Sequence, residues 1–302
     1  MKKWQKMLGM TMALTLALTA IPVTAKVEAA ATSVTPALAK TPGKNNPLFT
    51  QKFGADPFAM VYNGRVYVYM TNDIFEYNAD GTVKDNGYGK INKITVVSSD
   101  DMVNWTDHGE IPVAGSQGAA KWANNSWAPA AAHKTIDGKE KFFLYFADSA
   151  NGIGVLEADS PIGPFRDPIG KPLVSRNTPG ANDVTWLFDP AVLVDDDGSG
   201  YLYFGGGVPT GKDADPGTAR VAKLGADMTS LDLTASGGTV KPINPPFLFE
   251  DSGINKYNGK YYYSYCTNFS GAHPSDIPTG TIAYMVSDNP LGPFTYEKTI
   301  LP

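Results

Sequence analysis

Apolar and aromatic residues along the chain fall into short runs that are interrupted at regular places by turn dipeptides. In four segments an apolar stretch leads into Asn-Gly or Asp-Gly and then into a strand rich in tyrosine and phenylalanine: Met60–Tyr69, Ile136–Phe146, Val192–Phe204 and Ile254–Tyr265. Tight hairpin turns need a positive φ at both central positions, and these dipeptides adopt it easily. The pattern therefore predicts four β-hairpins, and no helical period interrupts them.

The spacing of these hairpins indicates a repeated fold. Their turns lie at residues 63, 137, 197 and 258, and a unit of roughly 60 to 75 residues has room for four strands with long loops. A second motif supports the repeat, because Ala158–Phe165 and Val286–Phe294 are near copies and Ser98–Trp105 is a looser one. Repeated four-stranded sheets are typical of a β-propeller, so we predict an all-β propeller with about four blades. An irregular β-sandwich is the alternative.

Three acidic residues stand at matched distances before these turns. Asp56 precedes the turn of its hairpin by seven residues, Asp189 and Glu250 precede theirs by eight, and Trp127 takes this place in the second hairpin. The first strand of each blade lines the central axis of a propeller, so we expect the three carboxylates to meet at one end of that axis. A single Asp-Pro pair would be an ordinary turn or strand start. Their shared register favours a functional site.

Closely spaced carboxylates have two common uses. Like charges disfavour ionisation, which keeps one carboxylic acid protonated near neutral pH, as acid–base hydrolysis requires. Carboxylates also hold calcium. The acidic run at residues 195–198 resembles the start of a calcium-binding loop, but Gly206 stands where such a loop needs glutamate. We interpret that run as a hairpin turn and favour acid–base chemistry for the three acids.

Composition excludes several classes of function. The net charge is −5 and basic residues are scattered beyond the first few positions, so neither nucleic acid nor an anionic membrane is a predicted partner. Cys266 is the only cysteine, which excludes an intramolecular disulfide and a cysteine-based zinc site. The three histidines are too scattered to predict a metal cluster.

The first 46 residues differ from the remainder of the chain. Three lysines among the first six residues precede an apolar run that ends at Val23, and Val23-Thr24-Ala25 matches a small-residue cleavage site. We predict a signal peptide over residues 1–25, a linker over 26–46 and the propeller over 47–302. A membrane anchor is the alternative, but the apolar run is shorter than a typical span. The predicted location is secreted and extracellular.

The segments around the acidic residues resemble glycoside hydrolase family 43, and within it the arabinoxylan arabinofuranohydrolases. Five segments carry the resemblance in the order that the family has: Ala55–Phe58, Ser126–Pro129, Thr185–Val192, Phe249–Ser252 and Tyr263–Gly271. The resemblance implies a five-bladed propeller. It also implies a hydrolase that releases single α-L-arabinofuranosyl side chains from arabinoxylan with inversion at the anomeric carbon.

The resemblance further implies roles for individual residues. Asp56 would be the general base that activates water, Glu250 the general acid, and Asp189 the residue that raises the pKa of Glu250 and orients it. Trp127 and Phe269 match positions that shape the pocket for the terminal sugar. No cofactor is implied for the chemistry, although a structural calcium is implied for the full-length family fold. The expected partner is the polysaccharide, and the expected state is a monomer.

The resemblance and the repeat differ in the number of blades. The family has five, whereas the hairpins account for about four and the second motif ends near the last residue. We therefore expect a C-terminally truncated propeller with its last blade missing. Unpaired strand edges in an open ring would make an isolated chain poorly stable and weakly active.

Other functions remain open at this stage. A β-xylosidase or an arabinanase of the same family would use the same three acids. A non-catalytic carbohydrate-binding propeller would keep the aromatic residues but would not need three acids in register.

Overall fold

The computed structural model describes residues 47–84 and 88–301, so the predicted signal peptide and linker lie outside the described residues. Regular structure in the described part consists of sixteen β-strands and a short 3-10 helix, Thr234–Ser236. No helix in this part is long and apolar enough to cross a membrane.

The strands form four antiparallel sheets, each of four consecutive strands. The first and second sheets contain β1 (Phe58–Tyr62), β2 (Arg65–Thr71), β3 (Lys93–Ser99), β4 (Thr106–Pro112), β5 (Trp127–Ile136), β6 (Lys139–Ala147), β7 (Gly152–Ala158) and β8 (Val174–Ser175). The third and fourth sheets contain β9 (Ala191–Val194), β10 (Gly200–Phe204), β11 (Ala219–Lys223), β12 (Lys241–Ile243), β13 (Leu248–Tyr257), β14 (Lys260–Thr267), β15 (Ile282–Ser287) and β16 (Thr295–Leu301). The predicted all-β propeller with about four blades is thus confirmed over the described residues.

The predicted turns connect the first and second strands of each sheet. In the first sheet, Asn63 and Gly64 form the turn with φ of +48° and +73°, as a two-residue hairpin requires. The second and fourth sheets have the same turn at residues 137–138 and 258–259. The acidic run of the third sheet makes a wider turn, in which the Asp195 N–H donates to the Ser199 carbonyl at 2.8 Å. This run is a turn, as we interpreted it.

The sheets pack against one another in chain order. Contacts join β1 to β5, β5 to β9 and β9 to β13, so the first strands lie side by side around an axis. On β6, Phe142, Leu144 and Phe146 belong to the cluster shared with the first sheet, whereas Phe143 and Tyr145 belong to the cluster shared with the third. A strand that is buried on both faces has a continuous apolar sequence, which explains the runs of aromatic residues in the second strands.

A buried tyrosine on the second strand of three sheets donates a hydrogen bond to a backbone carbonyl of the next sheet: Tyr69 to Pro161 (2.6 Å), Tyr145 to Met228 (2.7 Å) and Tyr203 to Pro290 (2.7 Å). Each acceptor lies in the loop after the third strand of the following sheet. The second repeat motif of the sequence therefore has a structural role, because two of its copies supply the acceptor carbonyls of Pro161 and Pro290. These bonds fix the distance between neighbouring sheets and with it the width of the axial space.

Replacing Tyr145 with phenylalanine leaves the Met228 carbonyl buried without this partner. We expect Tyr145→Phe to lower the free energy of unfolding by about 1–3 kcal/mol, measured by urea denaturation. Tyr257→Phe is the matched control, because Tyr257 is 67% exposed and its loss should change stability by less than about 0.5 kcal/mol. Equal effects of the two substitutions would contradict the role of the Tyr145 hydroxyl between sheets.

Candidate active site

The starts of the four first strands surround two connected pockets. The outer pocket has a volume of about 470 Å³ and is lined by residues of all four sheets: Ala55, Asp56, Thr71, Asp73, Tyr88, Ile91, Trp127, Phe188, Asp189, Phe249, Glu250 and Asp251. The axial pocket, of about 310 Å³, shares Asp56, Asp189 and Asp251 with the outer pocket, and its wall also includes Ala128. The structure thus brings Asp56, Asp189, Glu250 and Trp127 together at one end of the axis.

The backbone enters each sheet in the same unusual conformation. One residue per sheet has a positive φ just before the first strand or near its start: Asp56 at +50°, Ala128 at +39°, Asp189 at +50° and Asp251 at +65°. Side chains other than glycine rarely adopt this region, and aspartate tolerates it better than most. We call these four residues the inner tier. Backbone strain of this kind is common at functional sites.

The residues that directly precede the inner tier form an outer tier: Ala55, Trp127, Phe188 and Glu250. Backbone pairing establishes their equivalence. The Ala55 and Phe188 carbonyls accept hydrogen bonds from the second strands of their sheets at 3.0 Å and 2.9 Å. Trp127 and Glu250 are paired with the second strands of theirs. All four line the outer pocket.

The two tiers revise one part of the sequence interpretation. Asp251, rather than Glu250, is in register with Asp56 and Asp189, and Ala128, rather than Trp127, holds that place in the second sheet. Glu250 stands eight residues before its turn, whereas Asp251 stands seven before it, as Asp56 does. Asp189 also stands eight residues before Asp197, because the turn of the third sheet is wider.

Burial and mutual repulsion raise the pKa values of the carboxyls. Asp189 is 8% exposed, and burial raises its pKa well above the ordinary value, while the hydrogen bond from the Asp251 N–H to Asp189 Oδ2 at 2.9 Å acts in the opposite direction. Burial and then the Asp251 charge raise the pKa of Glu250 to about 7, with a further contribution from Asp56.

Asp56 has a raised pKa for similar reasons. It is open to the solvent of the pocket, yet protein surrounds it on most sides. Burial, then the Asp251 charge and then the Asp73 charge raise its pKa to about 6. The two carboxyls Asp56 and Glu250 therefore titrate close to neutral pH, with Asp56 ionising first. This order suits a base and an acid that work in the same pocket.

Aromatic residues form the remaining wall of the outer pocket. The Trp127 Nε1 donates to the Tyr88 carbonyl at 3.0 Å, and the two rings meet edge to face with centroids 6.2 Å apart. Phe269 is 66% exposed and lies outside the lining residues, where it contacts the pocket residue Phe249 with centroids 5.5 Å apart. Trp127 thus lies in the pocket, and Phe269 lies beside it.

Sequence reasoning gave no role to several residues of this pocket, among them Asp73, Tyr88, Phe249 and Asp251. Asp251 could have been found, because it stands seven residues before its turn, as Asp56 does. Tyr88 and Phe249 carry no comparable signal, since Tyr88 lies in the long connection between β2 and β3 and Phe249 resembles a core residue.

The described residues offer no ligand cage for a metal ion. Among residues 47–84 and 88–301, no group of three or more histidine, cysteine, aspartate or glutamate side chains is arranged to hold one. The structural calcium implied by the resemblance therefore has no ligand set in this part of the chain, and its presence stays a prediction.

Comparison with known proteins agrees with the predicted family. The family profile described as Glycosyl hydrolases family 43 matches residues 45–301. The Arabinoxylan arabinofuranohydrolase of Paenibacillus polymyxa is 61% identical over 274 residues, which cover 87% of this chain and 42% of that protein. The protein of the same name from Bacillus subtilis (strain 168) is 60% identical over 284 residues, which cover 90% of this chain and 54% of that protein.

A solved structure extends the likeness to three dimensions. The crystal structure of a glycoside hydrolase family 43 arabinoxylan arabinofuranohydrolase from Bacillus subtilis, in complex with cellotetraose, matches with a TM-score of 0.82 and 60% identity. The match covers 87% of this chain and 55% of that one. The chain thus spans about half the length of these relatives. Because the family profile matches nearly all of the described residues, the chain belongs to glycosyl hydrolase family 43.

Proposed function

We propose that this chain forms the catalytic propeller of a glycosidase that removes α-L-arabinofuranosyl side chains from arabinoxylan. The observation that carries the proposal is the outer pocket, in which Asp56 and Glu250 share one concave space and titrate near neutral pH. The identity of the sugar rests on the two arabinoxylan arabinofuranohydrolases that are 61% and 60% identical to this chain.

In the proposed mechanism two carboxyl groups act on opposite sides of one glycosidic bond. Protonated Glu250 donates its proton to the glycosidic oxygen, and the bond from that oxygen to the anomeric carbon breaks. Ionised Asp56 takes a proton from a water molecule whose oxygen forms the new bond to the anomeric carbon from the opposite face. The reaction thus inverts the configuration, and both carboxyls regain their starting states by proton exchange with solvent.

Asp189 positions Glu250 through a hydrogen bond to the next residue. Its carboxylate accepts the hydrogen bond from the N–H of Asp251, the residue that follows Glu250, and so holds the Glu250 segment against the third sheet. Trp127 and Phe249 present aromatic faces to the pocket, and such faces suit the apolar side of a sugar ring. The expected partner is the polysaccharide, and the chain is expected to act as a monomer.

Removing either proton-transfer group should abolish most of the activity. We expect Asp56→Asn and Glu250→Gln to lower arabinose release from wheat arabinoxylan by roughly 10²- to 10⁴-fold, the usual contribution of a positioned acid or base. Glu297→Gln on the exposed part of β16 is the control and should leave the rate unchanged. Undiminished hydrolysis in both site variants would contradict the mechanism.

The reaction product separates the alternatives. Proton NMR of the first-formed sugar should show the β-anomer of arabinose, because inversion converts the α-linkage. Release of xylose from xylo-oligosaccharides without arabinose would support a β-xylosidase, and cleavage of arabinan would support an arabinanase. Binding of arabinoxylan without any sugar release by the wild-type chain would support a non-catalytic propeller.

The pKa values predict a bell-shaped dependence of kcat/KM on pH. Activity should rise as pH passes about 6, where Asp56 loses its proton and becomes a base. It should fall as pH passes about 7, where Glu250 loses the proton that it donates. Steady-state rates on an aryl arabinofuranoside between pH 4 and pH 9 (a range of roughly two units beyond each limb) measure both limbs. A flat profile across this range would contradict the assigned roles.

We also propose that the chain is exported and cleaved after Ala25. The support is the basic start, the apolar run and the small-residue site in the first 25 residues. Expression in a secreting bacterium should give a protein in the medium whose N-terminal sequence begins at Lys26. Retention of an uncleaved chain in the membrane fraction would support the anchor instead.

A further inference from the structure

The inner tier contains a carboxylate to which neither the resemblance nor the proposed mechanism gives a role. Asp251 shares its left-handed backbone conformation with Asp56 and Asp189, and the fourth member of the tier is Ala128. Three of the four equivalent positions therefore carry aspartate. Asp251 lines both the outer pocket and the axial pocket, whereas Glu250 lines only the outer pocket.

We propose that Asp251 is a positioning residue for Glu250: its main-chain N–H fixes the Glu250 segment to Asp189, and its side chain places a negative charge beside Glu250 and Asp56. This inference rests on the proposed function, because it assigns Asp251 to the same acid and base. It gives the site four carboxylates in place of three.

The backbone of β13 bulges around Glu250. Five residue steps from Leu248 to Gly253 lie opposite three steps from Thr267 to Ser264, so β13 carries extra residues around Glu250. A bulged backbone has unpaired groups that need partners. The N–H of Asp251 finds its partner in Asp189 Oδ2 at 2.9 Å, on a different sheet. This bond ties the bulge to the third sheet and fixes where Glu250 points.

The charge of Asp251 also acts on Glu250 and Asp56. The Asp251 carboxylate is the largest charge contribution to the raised pKa of Glu250 and also to that of Asp56. Asp189 and Glu250 also repel each other, because the Glu250 charge contributes to the raised pKa of Asp189. Asp251 therefore adds a second negative charge beside Glu250, and Asp189 also accepts the hydrogen bond of the Asp251 N–H.

The titratable groups around Asp251 are Asp56 before β1, Asp73 after β2, Asp189 before β9, Glu250 on β13, and Tyr263 and Cys266 on β14. The second sheet supplies Trp127 and Ala128 to the same pockets. Raised pKa values keep Tyr263 and Cys266 neutral near pH 7, whereas each ionised carboxyl favours the protonated form of its neighbours. Removing one negative charge from this set should make the remaining carboxyls more acidic.

The test is the pH dependence of kcat/KM for Asp251→Asn, a variant that keeps the size of the side chain and the main-chain N–H. Loss of the charge favours the ionised forms of both Asp56 and Glu250, so both limbs of the profile should move to lower pH by about one unit. On the alkaline side of the optimum the rate should therefore fall about tenfold relative to wild type, and the rate at the shifted optimum should change less.

Two further variants separate a charge effect from a structural one. Asp73→Asn should move only the acidic limb, because Asp73 contributes to the pKa of Asp56 and is not a cause of the shift in Glu250. Asp251→Glu keeps the negative charge, so the alkaline limb of its kcat/KM profile should lie close to that of the wild type. A uniform loss of rate in Asp251→Asn without movement of either limb would overturn the proposal.

A readout without substrate distinguishes failure of this inference from failure of the proposed function. Carbon NMR titration of the Glu250 carboxyl in the full chain, assigned with Glu250→Gln, should show a pKa lower by about one unit in Asp251→Asn. If the wild-type chain releases no arabinose and this shift is still present, the proposed function fails and the role of Asp251 stands. An unshifted Glu250 carboxyl overturns the role of Asp251 whatever the substrate.

Discussion

The site depends on one backbone constraint, the left-handed residue at the start of each sheet. A positive φ at a residue other than glycine costs of order 1–3 kcal/mol, and four such residues surround the same axis. This conformation gives consecutive residues different surroundings, because each inner-tier residue lines the axial pocket and the residue before it lines only the outer pocket. A simple extended strand would place these two residues on opposite faces of the sheet.

The packing of the sheets holds this conformation in place. Side chains of β6 fill the spaces on both sides of its sheet, and tyrosine hydroxyls bond each of three sheets to the next. Because the interior is close-packed, a sheet cannot rotate to relax one strained residue without opening a gap against its neighbours. The same rigidity keeps like charges close together in the pocket. Burial, and then repulsion among these charges, raises the pKa values of Asp56 and Glu250.

Local chemistry made much of the fold predictable from the sequence. The Asn-Gly and Asp-Gly turns need a particular φ, and the structure has a hairpin at each of them. The repeat of these turns predicted four sheets, and the acidic residues before them predicted where the pocket lies. The assignment of Glu250 to the register of Asp56 was wrong, because Asp251 stands seven residues before its turn, as Asp56 does. The count of eight that Glu250 shares with Asp189 comes from the wider turn of the third sheet. Tyr88 was missed for a related reason, since only the folded chain brings the connection after β2 to Trp127.

The two tiers explain how two carboxyls of one pocket can differ in pKa. Asp56 belongs to the inner tier and Glu250 to the outer tier, so the two carboxyls meet different neighbours although they share a pocket. Asp251 belongs to the inner tier and directly follows Glu250. Its charge contributes to the raised pKa values of both Glu250 and Asp56. Two carboxyls at equivalent positions would have similar surroundings and similar pKa values. Glu250 lies one residue before the inner tier, whereas Asp56 belongs to it, and the difference in their pKa values follows from these different positions.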